Sequence, residues 1–243
     1  MIDTAILLAA GQGSRLRDAA RSKPLCPVAG VPLIDRALAS LAEAGIARAV
    51  VVTGYEAESV EQHLAAGSWP LVLECVRTTD WRQPNGVSVL AAADRVEEQA
   101  LLAMCDHIVE PALYARLRGR GAGDGLRLGI DRRLGHPWID PEDVTCVATE
   151  EDRIVAIGKG LDPHDCYDVG VFAIGRPLFD ALARLTAPSL TEGVRMLAGS
   201  EIAHVVDCSD LDWIDVDDAK ALDCAERWLA TTVGCRAQAA PSR

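Results

Sequence analysis

Apolar residues recur along the chain with two periods, and their alternation predicts the architecture. Continuous apolar runs at 4–10, 47–53, 70–76 and 100–105 read as strands buried on both faces. Between them lie segments whose apolar residues fall three and four apart. In 32–44 the residues Leu33, Ile34, Leu38 and Leu41 form one stripe and Gly45 closes it. Segments 56–64, 87–96 and 110–117 read as helices in the same way. Strands separated by helix-length segments predict an α/β fold: a mixed, mostly parallel sheet with helices on both faces. Ligands of such sheets sit beyond the carboxyl ends of the strands. Gly11, Thr53 and Asp106 lie at such ends and are expected to share one cleft.

From about residue 119 the pattern shortens. Gly119, Gly121, Gly123 and Gly125 mark a loop, and strand-like pieces follow at 126–131, 144–149, 153–157 and 169–174. Glu151-Asp152 reads as a hairpin turn between two of them. The subregion 119–175 is expected to be a small β-rich lid over the sheet. Helices are predicted at 177–185 and 190–197, a strand at 202–206 and an amphipathic helix at 217–232. With no internal repeat and no long linker, residues 1–235 are expected to form one domain, followed by a disordered tail at 236–243.

Composition narrows the classes. The 243 residues can bury one substantial core. A net charge of −12 argues against nucleic acid or an anionic membrane as a partner. No apolar run reaches membrane-spanning length, and Asp3 near the start speaks against a signal peptide. The eight cysteines are scattered, with no Cys-x-x-Cys pair, and read as reduced residues of a cytoplasmic protein. A homo-oligomer is left open.

The chemistry concentrates in 7–25, LLAAGQGSRLRDAARSKPL. A strand running into Gly11-Gln12-Gly13-Ser14 suggests a turn that wraps phosphates with its backbone N–H groups. Arg15 and Lys23 add two cations, which suits a triphosphate. A dinucleotide-binding loop would need a third glycine where Leu16 stands, and a Gly-Lys-Ser/Thr triplet is absent. Asp106 closes an apolar strand and reads either as a Mg²⁺ ligand near phosphates or as a helix N-cap. Asp217 and Asp218 read as N-cap and first-turn acids of the last helix. Gln83-Pro84-Asn85-Gly86-Val87-Ser88 carries turn and helix-start signals. His107 is expected to orient nearby polar groups.

The pattern Leu-Ala-Ala-Gly-x-Gly-x-Arg-Leu followed by Lys-Pro-Leu resembles the nucleotidyltransferases that join a nucleoside triphosphate to a sugar or alcohol phosphate. The resemblance spans most of 4–230 and implies a Rossmann-like, GT-A-like fold. It implies that Leu8, Ala10, Gly11, Gly13 and Ser14 cradle the nucleotide with Arg15 and Lys23 as catalytic cations. Asp106 and the Trp-x-Asp residue Asp215 would bind catalytic Mg²⁺. Ile157-Gly158-Lys159 and Asp168-Val169-Gly170-Val171-Phe172 resemble the CTP:inositol-1-phosphate cytidylyltransferase branch. By that resemblance Lys159, Asp168 and, more weakly, Asp131 face the phosphorylated acceptor, and the lid forms the acceptor side. Asn85, Gly86 and Ser88 fit that branch's Asn-Gly-x-Ser, which reads base and sugar. Guanylyl, uridylyl or thymidylyl transfer to a hexose 1-phosphate stays open, as does cytidylyl transfer to phosphocholine or an aminoalkylphosphonate. So does a silent nucleotide-sugar-binding subunit. The stretch 136–143 matches no motif.

Overall fold

The first apolar run becomes β1 (Thr4–Ala9), and its pleat sends residues to two different cores. Ala5, Leu7 and Ala9 pack on one side of the sheet, while Ile6 is buried on the other. The computed structural model describes residues 1–238, with side chains described through residue 231. After β1 come a two-residue hairpin, β2 (Pro27–Val28) and β3 (Val31–Pro32), then α1 (Leu33–Glu43), β4 (Arg48–Thr53), α2 (Ala57–Ala66) and β5 (Val72–Arg77). The chain continues through α3 (Gly86–Ala91), β6 (Gln99–Met104), β7 (His107–Val109) and α4 (Pro111–Arg120). The second half holds β8 (Leu126–Asp131), β9 (Thr145–Glu150), β10 (Arg153–Lys159) and β11 (Cys166–Gly175). It ends with α5 (Arg176–Ala183), α6 (Leu190–Gly199), β12 (Ala203–Asp207), β13 (Trp213–Asp215) and α7 (Ala219–Gln238).

Nine strands form one mixed sheet in the order β5-β4-β1-β6-β11-β8-β12-β10-β9. The pairs β5–β4, β4–β1 and β1–β6 are parallel, as is β8–β12. Antiparallel pairing begins where β11 joins β6 and β8. The helices divide by face. Leu33, Ile34, Leu38 and Leu41 of α1 share a core with Leu113, Tyr114 and Leu117 of α4. Leu178 and Leu182 of α5 and Val194 and Leu197 of α6 fill the other, against Ile6, Leu102 and Phe172. Ser189 starts α6 by accepting the Glu192 N–H at 3.2 Å, the Ser-x-x-Glu arrangement that satisfies free N-terminal donors.

Three expectations need correction. The β-rich segment 119–175 does not lie over the sheet as a separate lid. Its strands β8 and β11 are inside the sheet, and β9 pairs with both β10 and the start of β11. The predicted helix 87–96 ends at Ala91 and continues as a 3-10 turn, Ala93–Arg95. The expected tail begins inside α7, which runs to Gln238, and the rest of it lies outside the described residues. Among the described residues no helix is long and apolar enough to cross a membrane.

Candidate active site

The turn after β1 places the first cations. Gly13 is left-handed, with φ 59°, and opens a 3-10 turn, Ser14–Leu16. A second 3-10 turn, Lys23–Leu25, lays the Lys23 side chain across Gly13. A Cβ on Gly13 would stand 2.4 Å from Lys23 Cβ, so only glycine permits this approach. Gly11 differs: its φ is not left-handed and the space around it is open, so its role is access rather than conformation.

A two-stranded ribbon brings the acids to Lys23. β7 pairs antiparallel with β13 and sets His107 opposite Asp215. Lys23 Nζ donates to Asp106 Oδ2 at 2.5 Å and to Asp217 Oδ1, and stands 3.9 Å from Asp215 Oδ1. Burial opposes the lysine's charge, but Asp106, Asp215 and Asp217 outweigh it and hold its pKa well above the ordinary value. Burial likewise disfavours Asp106 as an anion, yet Lys23 and His107 keep it far below the usual carboxylate range. Asp215 goes the other way: burial, with Asp106 beside it, lifts its carboxyl to about 6.

His107 links this cluster to its support. Its Nδ1 lies 2.9 Å from Asp106 Oδ1, and its ring stacks on Trp213 with centroids 5.9 Å apart and planes 7° apart. Burial would lower its pKa, but Asp215 and Asp106 raise it to about 9. Trp213 Nε1 donates to Asp131 Oδ2 at 2.9 Å, and Asp131 is fully buried against Arg133. Asp131 therefore lies behind the site and does not line the cleft, contrary to its expected place at the acceptor.

The far wall is β11. Its register against β8 slips between Asp168 and Phe172, a bulge in which Gly170 takes φ 74° and gives its N–H to Asp168 Oδ1 at 2.7 Å. A Cβ on Gly170 would come within 2.4 Å of His107 Cδ2. The spacing Asp168-x-Gly170-x-Phe172 is thus a strand bent to aim an acid into the cleft and let a histidine pass. Burial pushes the Asp168 carboxyl up to about 6.

His107, Asp168, Gly170, Trp213 and Asp215 share one cleft of about 620 Å³ with Arg15, Asn85, Asp143, Lys159 and Asp217, and Lys23 and Asp106 adjoin it through Asp215, Asp217 and His107. Arg15 Nη2 donates to Asp143 Oδ2 and Asp217 Oδ2, each at 2.5 Å. Lys159, at the end of β10, pairs with Asp143. Asn85 is a cleft residue whose Oδ1 accepts the Leu190 N–H at 2.8 Å. Gly86 allows close packing, since a Cβ there would stand 2.4 Å from Pro188 O. Ser88 is buried on α3 and Leu8 is half-buried against the core that holds Ile6 and Phe172. Ala10 gives its carbonyl to Tyr55 N–H at 2.9 Å. Sequence reasoning missed Asp143 and Asp217. Asp218 does cap α7, accepting the Ala221 N–H at 2.8 Å, while Asp217 turns to Lys23.

A divalent cation fits the acidic cluster. Ligand atoms of Asp106, His107 and Asp215 lie within 4.8 Å of one another. Asp215 Oδ1 is buried with no hydrogen-bond donor, an oxygen that a divalent cation would coordinate. Mg²⁺ prefers oxygen and commonly takes one or two carboxylates plus substrate phosphates, so Asp106 and Asp215 are the fitting pair.

Residues 5–205 match the family model of the MobA-like NTP transferase domain. The bifunctional IPC transferase and DIPP synthase of Rubrobacter xylanophilus is 36% identical over 234 residues, covering 93% of this chain and 51% of the relative. Its namesake from Aquifex aeolicus is 30% identical over 240 residues, covering 96% and 53%. The chain spans about half the length of the curated relatives it matches. The solved inositol-1-phosphate CTP transferase from T. maritima superposes with a TM-score of 0.83 at 24% identity, covering 93% of this chain and 94% of that one, a likeness of fold. The chain belongs to the family of MobA-like NTP transferase domains.

Proposed function

We propose that this chain transfers a cytidylyl group from CTP to a small phosphorylated polyol, inositol 1-phosphate first, and releases pyrophosphate. The observation that carries the reading is Lys23, buried against Asp106 and Asp217 and 3.9 Å from Asp215, beside a cleft that Asp215, Asp217, Lys159 and Asp168 line. In-line attack by a phosphate monoester needs no general base, because that nucleophile is already ionised at neutral pH. Catalysis then rests on positioning and charge stabilisation. Arg15 and the N–H groups of 11–14 bind the β- and γ-phosphates. Lys23 stabilises charge developing at the α-phosphorus, and Lys159 draws in the acceptor phosphate. Asp168, fixed by Gly170, accepts a hydrogen bond from an acceptor hydroxyl. Mg²⁺ held by Asp106 and Asp215 would neutralise charge on the phosphates. The name of the T. maritima structure supports the choice of CTP and inositol phosphate, and the names of the curated relatives support a transferase.

The test is a pyrophosphate-release assay with Mg²⁺, running the four common triphosphates against inositol 1-phosphate, hexose 1-phosphates, phosphocholine and an aminoalkylphosphonate. CTP with inositol 1-phosphate is expected to be fastest. A site that hydrogen-bonds one base rejects another by ~10⁴ when polar groups are left unpaired. GTP or UTP outperforming CTP with every acceptor would overturn the base and leave nucleotidyl transfer standing.

A further inference from the structure

Asp143 belongs to the loop between β8 and β9, within the stretch that matches no motif. Its two oxygens serve different cations: Oδ2 accepts from Arg15 at 2.5 Å, and Oδ1 accepts from Lys159. Arg15 stands on the turn after β1, and Lys159 ends β10. One side chain therefore ties the triphosphate end of the cleft to the acceptor end. The loop is anchored independently, through Trp138, whose indole lies 5.3 Å from that of Trp228 on α7. Lys159 has no other ion-pair partner among the described residues, whereas Arg15 also holds Asp217.

A phosphate offers these cations the same charge-assisted acceptors as a carboxylate, so it competes with Asp143 at either end. We propose that Asp143 is a positioning residue that couples the two substrate sites, holding both Arg15 and Lys159 until an anion at one end loosens its hold on the cation at the other. Once an anion takes Arg15, Asp143 is left on one exposed lysine, a pair that holds it weakly. The first anion thus bears most of the cost of displacement and the second binds more tightly. Coupling of this kind is reciprocal. Asp143 lies well below the usual carboxylate range, first through its hydrogen bond with Lys159 and further through Arg15, so it remains the competing anion throughout the neutral range. The inference rests on reading Arg15 and Lys159 as phosphate-binding groups; it does not depend on the base or the acceptor.

Calorimetry on the full chain in buffer containing Mg²⁺ tests it, with inorganic pyrophosphate for the Arg15 end and inorganic phosphate for the Lys159 end. The unaltered chain is expected to bind phosphate about 5-fold or more tightly once saturated with pyrophosphate. Lys159→Ala should lose that phosphate event, which fixes its location. Asp143→Asn, with cooperative thermal unfolding as proof of folding, should bind each probe alone more tightly and show no coupling. Asp143→Glu should restore the coupling. Both probes binding without coupling to the unaltered chain, or coupling that survives in Asp143→Asn, overturns the inference alone. Failure of either probe to bind any variant overturns the phosphate-binding reading along with it.

Discussion

Lys23 is the most constrained cation of the cleft, its side chain 8% exposed and faced by three carboxylates. Removing one preorganised donor to developing charge costs ~2.7–4 kcal/mol in the transition state. Lys23→Ala should therefore lower single-turnover rates by at least ~100-fold, while calorimetry shows a smaller loss in nucleotide affinity. Equal losses would make it a ground-state anchor only. Asp106→Asn and Asp215→Asn should each abolish divalent-dependent turnover and leave far-ultraviolet dichroism unchanged. Near-normal turnover at low Mg²⁺ in either variant removes that carboxylate from the proposed ligand pair. Asp168 carries a pH signature. Burial raises its pKa to about 6 in the folded chain, against ~3.9 when unfolded. Between those values the folded state binds more protons, so this group's contribution to stability falls as pH rises from about 4 to 6 and is flat above. Asp168→Asn keeps an oxygen for the Gly170 N–H. It should raise Tm at pH 8 relative to the unaltered chain, with the gain shrinking below pH 6 and gone near pH 4. A gain constant from pH 4 to 8 would mean the carboxyl's ionisation is not what strains the fold.

The turn after β1 shows which elements a sequence reveals. Its glycines, Arg15 and Lys23 all lie within residues 11–23, and the strand before them is a continuous apolar run, so local pattern suffices. The strand 126–131 and the stripe of α1 are legible for the same reason. β7 and β13 are three residues each and pair across more than a hundred positions, so no periodic signal marks them. That ribbon nonetheless sets His107 against Asp215. Strand pattern in 119–175 was also readable, but pairing partners are set by packing, and the segment joined the sheet instead of covering it. Asp217 and Asp218 carry the same capping signal, and only the fold turns one to Ala221 and the other to Lys23. The turn itself is testable through its two glycines. A left-handed alanine costs ~1–2 kcal/mol, and Cβ at position 13 would also displace Lys23. Urea unfolding should show Gly13→Ala losing at least that much, with Gly11→Ala close to the unaltered chain because its surroundings are open. Equal losses in the two variants would contradict the geometry.

At the scale of the molecule, a chain of net charge −12 is proposed to bind a triphosphate of like sign. The cleft does not resolve this alone. Arg15, Lys23, Lys159 and a protonated His107 face Asp106, Asp143, Asp168, Asp215 and Asp217, four cations against five acids. The acids come from β6–β7, the β8–β9 loop, β11 and β13–α7, so distant segments of the chain meet at this one deficit of positive charge. Coulomb interactions are strengthened where water is partly excluded, so the deficit weighs on any added anion. A divalent cation between Asp106 and Asp215 reverses the balance and joins the two chain segments that carry them. Nucleotide affinity should therefore depend steeply on Mg²⁺. Ligand at ~100 times its Kd stabilises the folded state by ~2.7 kcal/mol. For a domain of this size that corresponds to a rise in Tm of ~5–10 °C. Differential scanning fluorimetry should show a rise of that order with CTP and Mg²⁺ together, and a small one with CTP and a chelator or with Mg²⁺ alone. An equal rise with CTP in the presence of chelator would mean that Arg15 and Lys23 suffice for the triphosphate, and that the acids at the cleft floor serve only to hold those two cations in place.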